Sequence, residues 1–244
     1  MNILLLSAFP EEQTYYKNNL TITSTSKIGF IDVMHSNIQT ANVYLATTGM
    51  GTTNAALVLA TLAHELKPDI IFFSGTSGGI DPTLRVGDVV IATDSFDADI
   101  LSIHDAVIGT PFEGALINPN VKQKTPAFYA MHPELRDLTK SLQPYHHNVV
   151  HGRIATSNHF PSPKELFAQI KAHNALVIDM ESFALYQFGW LTQLPVLVVR
   201  GVSNVLDHEG HDEDVAHSDI SSSDHAARVV LDCIDFYVNS YTIY

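Results

Sequence analysis

The chain has 244 residues, of which 45% are hydrophobic and only 16% are charged, so it can bury a core and is a poor candidate for intrinsic disorder. Thirteen basic residues against 26 acidic ones give a net charge of −13, which repels a polyphosphate backbone. We therefore expect a folded protein that does not bind nucleic acid.

The N-terminal residues 1–6 are apolar, but the run is short and has no basic flank. It meets Pro10-Glu11-Glu12 before it could become a signal peptide or a membrane span, so we interpret it as a first β-strand. We expect no membrane partner. The single cysteine, Cys233, cannot form a disulfide within the chain and favours a reducing, cytoplasmic compartment.

Short apolar runs alternate with amphipathic stretches along the whole chain. Nearly unbroken runs of strand length are typical of a sheet that is covered on both faces, and their alternation with helices indicates an α/β fold. We predict one α/β domain over residues 1–244, with a central mixed, largely parallel twisted sheet flanked by helices. The predicted strands are residues 3–6, 43–46, 70–73, 89–92, 149–154, 176–178 and 196–202, and the predicted helices are residues 52–67, 133–142, 163–172, 181–192 and 223–237.

Two glycine-rich segments follow predicted strands. The first, residues 48–54, has no Gly-Lys-Ser/Thr and is therefore not a P-loop; a simple turn into the helix at 52–67 accounts for it. That helix is predicted to bury the face that carries Ala56, Leu59, Ala60, Ala63 and Leu66. The second segment, residues 74–80, combines hydroxyls and glycines after a buried strand, as a site for a polar small molecule requires.

Two irregular segments interrupt this pattern. Residues 97–131 form a long loop, which in a compact domain is more often functional than idle. Residues 207–219 are polar and acidic and are predicted to cover an opening. His208, His211 and His217 lie in the second segment, but their spacing matches no familiar set of metal ligands, so we expect a solvated loop and no metal.

Four motifs then carry a family resemblance, and they are collinear from the first strand to the last helix. They are Gly75-Thr76-Ser77-Gly78-Gly79-Ile80, Pro82-Thr83-Leu84-Arg85-Val86-Gly87-Asp88-Val89-Val90, Asp179-Met180-Glu181 and Val199-Arg200-Gly201-Val202-Ser203-Asn204. In these motifs the chain resembles the nucleoside phosphorylase and nucleosidase superfamily, and above all its methylthioadenosine/S-adenosylhomocysteine nucleosidases. The resemblance implies a nucleoside phosphorylase-like fold, a purine nucleoside substrate, no cofactor and a homodimer.

The resemblance also assigns the residues that surround the sugar. Glu12 matches the carboxylate that activates water, Glu181 matches the glutamate that accepts hydrogen bonds from the ribose hydroxyls, and Met180 matches the residue beneath the sugar. Taken alone, both glutamates could simply be acids that favour a helix N-terminus. The full set of predicted substrate-binding residues is Thr76, Ser77, Gly78, Phe160, Asp179, Met180, Glu181, Arg200 and Ser203, with Phe160 matching an aromatic residue that stacks on the purine and Arg200 expected as a charge partner of the acids.

The Ser203-Asn204 pair departs from the resemblance, because adenine-cleaving relatives have Ser-Asp there. An asparagine cannot supply a proton to purine N7, but its amide can donate a hydrogen bond to N7 or to a 6-oxo group. A mismatched amino group would leave polar atoms unpaired at a cost of roughly 1–3 kcal/mol. Asn204 therefore predicts a preference for hypoxanthine or guanine as the departing base.

Water is predicted to be the nucleophile rather than phosphate. Related phosphorylases hold phosphate with arginines, and one of those positions is Phe73 in this chain. Three alternatives stay open: a methylthioadenosine/S-adenosylhomocysteine nucleosidase that releases adenine, a purine nucleoside phosphorylase, and a non-catalytic nucleoside-binding protein.

Overall fold

The computed structural model describes residues 1–100, 111–114, 116–140, 142, 145, 148–159, 163–206 and 219–242. The strands in these ranges are β1 Asn2–Ser7, β2 Ser24–Ile28, β3 Ile31–Ile38, β4 Ala41–Thr47, β5 Ile70–Gly79, β6 Val89–Asp97, β7 Tyr129–Ala130, β8 Val149–Thr156, β9 Ala175–Asp179 and β10 Val196–Val205. The helices are α1 Thr14–Asn19, α2 Thr52–Leu66, α3 Pro133–Lys140, α4 Lys164–Ala172, α5 Ser182–Thr192 and α6 Ser222–Thr242.

The sheet is mixed, as predicted, but it closes on itself and pairs its strands antiparallel as often as parallel, so the expectation of a largely parallel twisted sheet is corrected. Strand β10 pairs in parallel with β5 and antiparallel with β6, and β8 joins β6 to β9. Strand β9 returns to β5 through an antiparallel pairing at Gly78 and Gly79, which completes a ring. Strands β1, β4, β3 and β2 extend the sheet from β5 outside this ring.

The sequence suggested that the glycine-rich segment at residues 74–80 follows a strand. In the structure, this segment up to Gly79 belongs to the strand itself and to the ring. Strand β5 continues through it to Gly79, with β10 paired along its length. A Cβ atom on Gly78 would lie 3.3 Å from the Ile178 side chain. The glycines therefore allow β9 to approach the end of β5 closely, and the apolar pattern before them could not reveal this pairing.

Helix α2 has the predicted position but a different buried face. It begins after Gly51, which has φ 92°, and ends before Lys67 in the left-handed region. Its buried residues are Ala55, Val58, Leu59 and Leu62, whereas Ala56 and Ala60 are exposed. Because α2 is apolar on both sides, its periodicity could not decide which side faces the core.

The core is continuous along β1, β5 and β10 and is covered by α6, which buries the free Cys233. A Cβ atom on Gly201 of β10 would lie 2.0 Å from the Ser222 carbonyl oxygen, so only glycine lets α6 pack this closely. Within the described ranges, no helix is both long enough and apolar enough to cross a membrane.

Candidate active site

A cavity of about 200 Å³ opens where the ends of β1, β5, β9 and β10 meet. Parallel strands that end at one sheet edge bring residues from distant parts of the chain together there. The cavity is lined by Ala8, Phe9, Glu12, Met50, Thr76, Ser77, Gly78, Ser157, His159, Ile178, Asp179, Met180, Glu181, Ser203 and Asn204. It therefore contains most of the residues that the sequence predicted as a site.

Glu12 lies in a single 3-10 turn, Glu11–Gln13, directly after β1, and is only 1% exposed. Its Oε2 atom accepts hydrogen bonds from the backbone N–H groups of Ala8 and Phe9, at 2.9 and 3.2 Å. Its Oε1 atom accepts from Thr76, at 2.7 Å from the backbone nitrogen and 3.1 Å from the hydroxyl. These four bonds fix the carboxylate at the edge of the cavity.

Glu181 is the residue that precedes α5, and it is 3% exposed. One carboxylate oxygen accepts a hydrogen bond from the Gly51 N–H at 2.8 Å, and the other accepts from Arg200 at 2.9 Å. The turn before α2, which the sequence explained as a plain connection, thus supplies a donor to the site. Gly51 and Glu181 are 130 residues apart in the chain, so the sequence could not have shown this contact.

Asp179 ends β9 and uses its carboxylate on protein groups. It accepts from the Thr156 hydroxyl at 2.7 Å and from the hydroxyl of Ser182, and it lies 2.5 Å from an Arg200 nitrogen. Asp179 therefore holds Arg200 and the first turn of α5, so the structure places it as a support for Glu181 even though it also lines the cavity.

Glu12 and Arg200 converge around Gly75. A Cβ atom built on Gly75 would lie 2.7 Å from Glu12 Oε1 and 2.6 Å from Arg200 Nη1. Any side chain here would collide with both groups, so glycine is required for the approach. Glu12, Asp179 and Glu181 thus surround one guanidinium group.

This excess of carboxylates controls the protonation of the site. Burial raises the pKa of Glu181 to about 7; Arg200 and the Gly51 N–H oppose the rise, and Asp179 and Glu12 add to it. Burial acts to lower the pKa of Arg200, but Asp179, Glu181 and Glu12 outweigh it and hold that pKa above its ordinary value. Arg200 therefore remains a cation.

Phe73 lies beside this network, and a positive charge is present next to it. The Arg200 guanidinium lies over its ring, with Cζ 4.5 Å from the ring centroid. Arg200 is 1% exposed and does not line the cavity. The cation near the carboxylates is thus Arg200, which pairs with Asp179 and Glu181 as expected for a charge partner of these acids.

Ser203 and Asn204 also line the cavity. The Ser203 hydroxyl lies 2.8 Å from Asn204 Oδ1 and 3.2 Å from the carbonyl oxygen of Ser77. Asn204 Nδ2 is buried and has no hydrogen-bond partner within the residues described. The single Ser203 hydroxyl hydrogen can be donated to Oδ1 or to the Ser77 carbonyl, and the amide hydrogens of Asn204 have no acceptor in the described part of the chain.

Six cavity residues were not singled out from the sequence, and two of them, Met50 and His159, lie in connections between elements. His159 donates from Nδ1 to Asp99, at 3.1 Å, and Met50 precedes α2. The pattern gave no signal for them, since both lie in connections. Phe160 and residues 207–218, which include most of the predicted lid and its histidines, lie outside the described residues. Across the part of the chain that the structure covers, no group of three His, Cys, Asp or Glu residues is arranged to hold a metal.

The chain matches a family model and several known proteins. The family model "Phosphorylase superfamily" covers residues 2–235. A 5′-methylthioadenosine/S-adenosylhomocysteine nucleosidase from Staphylococcus aureus (strain MRSA252) is 30% identical over 207 residues, which are 84% of this chain and 87% of that protein.

Solved structures show the same fold. The nucleosidase of that name from S. pneumoniae, determined with a transition-state inhibitor, has a TM-score of 0.78 and 26% identity, covering 97% of this chain and 100% of the other. Futalosine hydrolase from Helicobacter pylori has a TM-score of 0.80 and 19% identity, covering 96% and 97%. The chain belongs to the phosphorylase superfamily.

Proposed function

We propose that the protein is a purine nucleosidase, which uses water to cleave the bond between ribose and a purine base. The observation that carries the proposal is that Glu12 and Glu181 line the same cavity as Asn204; we call the part with the two carboxylates the sugar end and the part with Asn204 the base end. Carboxylates suit the sugar, where positive charge develops as the bond breaks, and the amide suits the departing base.

Glu12 is the proposed general base. Four donors from Ala8, Phe9 and Thr76 hold the carboxylate, and a positioned base is a requirement for proton transfer from water. Water gives its proton to Glu12 and its oxygen bonds to the anomeric carbon, while the purine leaves with the electrons of the glycosidic bond. Thr76 keeps the hydroxyl that the resemblance requires at this position.

Glu181 is the proposed acceptor for the ribose hydroxyls, with Met180 beneath the sugar. Each Glu181 oxygen already accepts one hydrogen bond, from Gly51 or Arg200. A carboxylate oxygen can accept two, so each retains one site for a sugar hydroxyl. The same protein bonds fix the direction in which these remaining sites point.

The proposed base is a 6-oxopurine. Its N7 and O6 atoms are both acceptors, and the unpartnered Asn204 Nδ2 offers hydrogens to them. Ser203 fixes this orientation by its 2.8 Å bond to Oδ1. The 6-amino group of adenine would instead bring a donor towards a donor, which costs roughly 1–3 kcal/mol.

Water is favoured over phosphate by the charges around the cavity. Among the residues that line it, carboxylates dominate, and the neighbouring guanidinium of Arg200 is bound by Asp179 and Glu181. An added phosphate would meet negative charge at short range.

The second candidate is cleavage of methylthioadenosine or S-adenosylhomocysteine with release of adenine. It is favoured by the 30% identical Staphylococcus aureus protein, whose name gives that activity. Under this alternative, Asn204 accepts adenine in a different hydrogen-bonding arrangement. A purine nucleoside phosphorylase and a non-catalytic binding protein are the remaining alternatives.

One assay separates these functions. The protein is incubated with inosine, guanosine, adenosine and methylthioadenosine, with and without phosphate, and the free base is quantified. We expect phosphate-independent release of hypoxanthine or guanine. Release of adenine alone would refute the base preference, dependence on phosphate would refute hydrolysis, and binding without turnover would identify a binding protein. A homodimer is a further proposal, which a mass measurement in solution would test.

A further inference from the structure

Asp99 lies outside the cavity and forms a dense set of hydrogen bonds to its rim. Its Oδ2 accepts from the Asn158 backbone nitrogen at 2.6 Å, and its Oδ1 lies 3.1 Å from His159 Nδ1 and also accepts from the Ser157 hydroxyl. All three partners belong to residues 157–159, which follow β8 and which we call the exit turn. Two of them, Ser157 and His159, line the cavity.

The charge state of Asp99 suits this role. Burial acts to raise its pKa, but the hydrogen bonds from Ser157, Asn158 and His159 outweigh burial and set the pKa below its ordinary value. Its side chain is 17% exposed, whereas that of His159 is 61% exposed. Asp99 is therefore an ionised, mostly buried carboxylate that accepts hydrogen bonds from a more exposed turn.

The contacts continue from the exit turn to the sugar end of the cavity. The Asn158 side chain accepts from the Thr52 backbone nitrogen at 3.1 Å and donates to the Thr52 hydroxyl at 3.0 Å. A Cβ atom on the neighbouring Gly51 would lie 3.0 Å from Asn158 Oδ1. The Gly51 N–H is the donor that holds Glu181.

We propose that Asp99 is a positioning residue, which fixes the exit turn and, through Asn158, the start of α2 that orients Glu181. The proposal deepens the proposed function by naming a residue that organises its site without touching the substrate. It also gives a role to the beginning of the long segment 97–131, for which the sequence provided none.

Amide hydrogen exchange tests the proposal independently of any activity. In Asp99→Asn, whose amide nitrogen cannot accept from the Asn158 N–H, we expect exchange at Asn158, Thr52 and Gly51 to accelerate about tenfold, as for the loss of a hydrogen bond to a charged group. The control is Asp32→Asn, an 82% exposed carboxylate on β3 that pairs with Lys27; it should leave these amides unchanged. Acceleration at Asn158 alone, with Thr52 and Gly51 unaffected, would overturn the proposal.

Kinetics provides the second test and rests on the proposed function. For the nucleoside that the wild-type protein cleaves, we expect Asp99→Asn to raise KM about tenfold with kcat changed less than twofold. A loss of folded protein would lower the apparent kcat and leave KM unchanged, and that result would refute the positioning role. Asn158→Ala, which removes the middle contact, should raise KM similarly, and the double variant should be no worse than either single one. If the wild-type protein cleaves no nucleoside, the proposed function fails, and the exchange data still decide the role of Asp99.

Discussion

The two ends of the cavity differ in how completely their polar groups are bonded. At the sugar end, Glu12, Asp179 and Glu181 receive hydrogen bonds or ion pairs from six parts of the chain, and Asp179 and Glu181 share one buried guanidinium. At the base end, Asn204 has one bonded atom, Oδ1, and one buried nitrogen that has no partner among the described residues.

Because of this difference, we expect the carboxylates to serve bond cleavage and Asn204 to serve the choice of base. A carboxylate with several fixed donors cannot reorient, so the groups that would act on the sugar are preorganised. An unpartnered amide is costly in the empty protein and gains its bond only when a suitable ligand arrives. Substitutions at the sugar end should therefore abolish turnover or destabilise the fold, and substitutions at the base end should change which base is accepted.

The largest effect is expected at Glu12. Glu12→Gln keeps the size of the side chain but removes the acceptor for the water proton, so kcat for nucleoside cleavage should fall by about 10²–10⁴-fold. The matched control is Glu11→Gln, an exposed glutamate one residue away, which should retain the wild-type rate. Turnover by Glu12→Gln at the control rate would remove Glu12 from the mechanism.

Replacing Arg200 tests whether its ion pairs with Asp179 and Glu181 stabilise the fold. Arg200→Met preserves much of the volume but leaves Asp179 and Glu181 without their shared cation, and breaking a buried pair in this way costs about 3–5 kcal/mol. Urea unfolding should show this loss at pH 7. Arg85→Met, at an exposed arginine, should change the free energy of unfolding by no more than about 0.5 kcal/mol. Equal values for the two variants would show that the network does not stabilise the fold.

The raised pKa of Glu181 predicts how stability depends on pH. The pKa is about 7 in the folded protein, chiefly because of burial, and 4.5 is its ordinary value. Between these pH values the folded state holds a proton that the unfolded state has lost, so this group's contribution is fully present below pH 4.5 and is lost as the pH rises to about 7. The expected loss is about 3 kcal/mol. Glu181→Gln cannot titrate, so its free energy of unfolding should fall less over this range, and an unchanged slope would contradict the assignment.

Much of the fold was predictable because its strands are local apolar runs. The strands after residues 3, 43, 89, 149, 176 and 196 were all identified, since each is buried and short. Strands β2, β3 and β7 were missed, because β2 is polar and exposed, β3 alternates apolar with polar residues and β7 has only two residues. Closure of the ring was also missed, because it depends on which strands pair, and β-pairing across 100 residues leaves no local pattern.

The site was predictable wherever a motif carried it. Asp179, Glu181, Ser203 and Asn204 lie in recognisable motifs at strand ends, and the structure brings them to one cavity with Glu12. Gly51 and Asp99 were missed because their roles depend on contacts between segments that are remote in the chain.

Asn204 provides the most selective test of the difference between the two ends. Asn204→Asp replaces the amide donor with a carboxylate, which accepts from the 6-amino group of adenine and repels the O6 and N7 lone pairs of a 6-oxopurine. The ratio of kcat/KM for adenosine to that for inosine should rise about 10–100-fold, as expected for one mismatched polar pair. Asn37→Asp, at an exposed asparagine on β3, is the matched control and should leave the ratio unchanged. The two rates are compared within the same preparation, so a loss of stability from the new buried carboxylate does not enter the ratio. A uniform fall in both rates would therefore mean that Asn204 serves the chemistry of bond cleavage and not the choice of base.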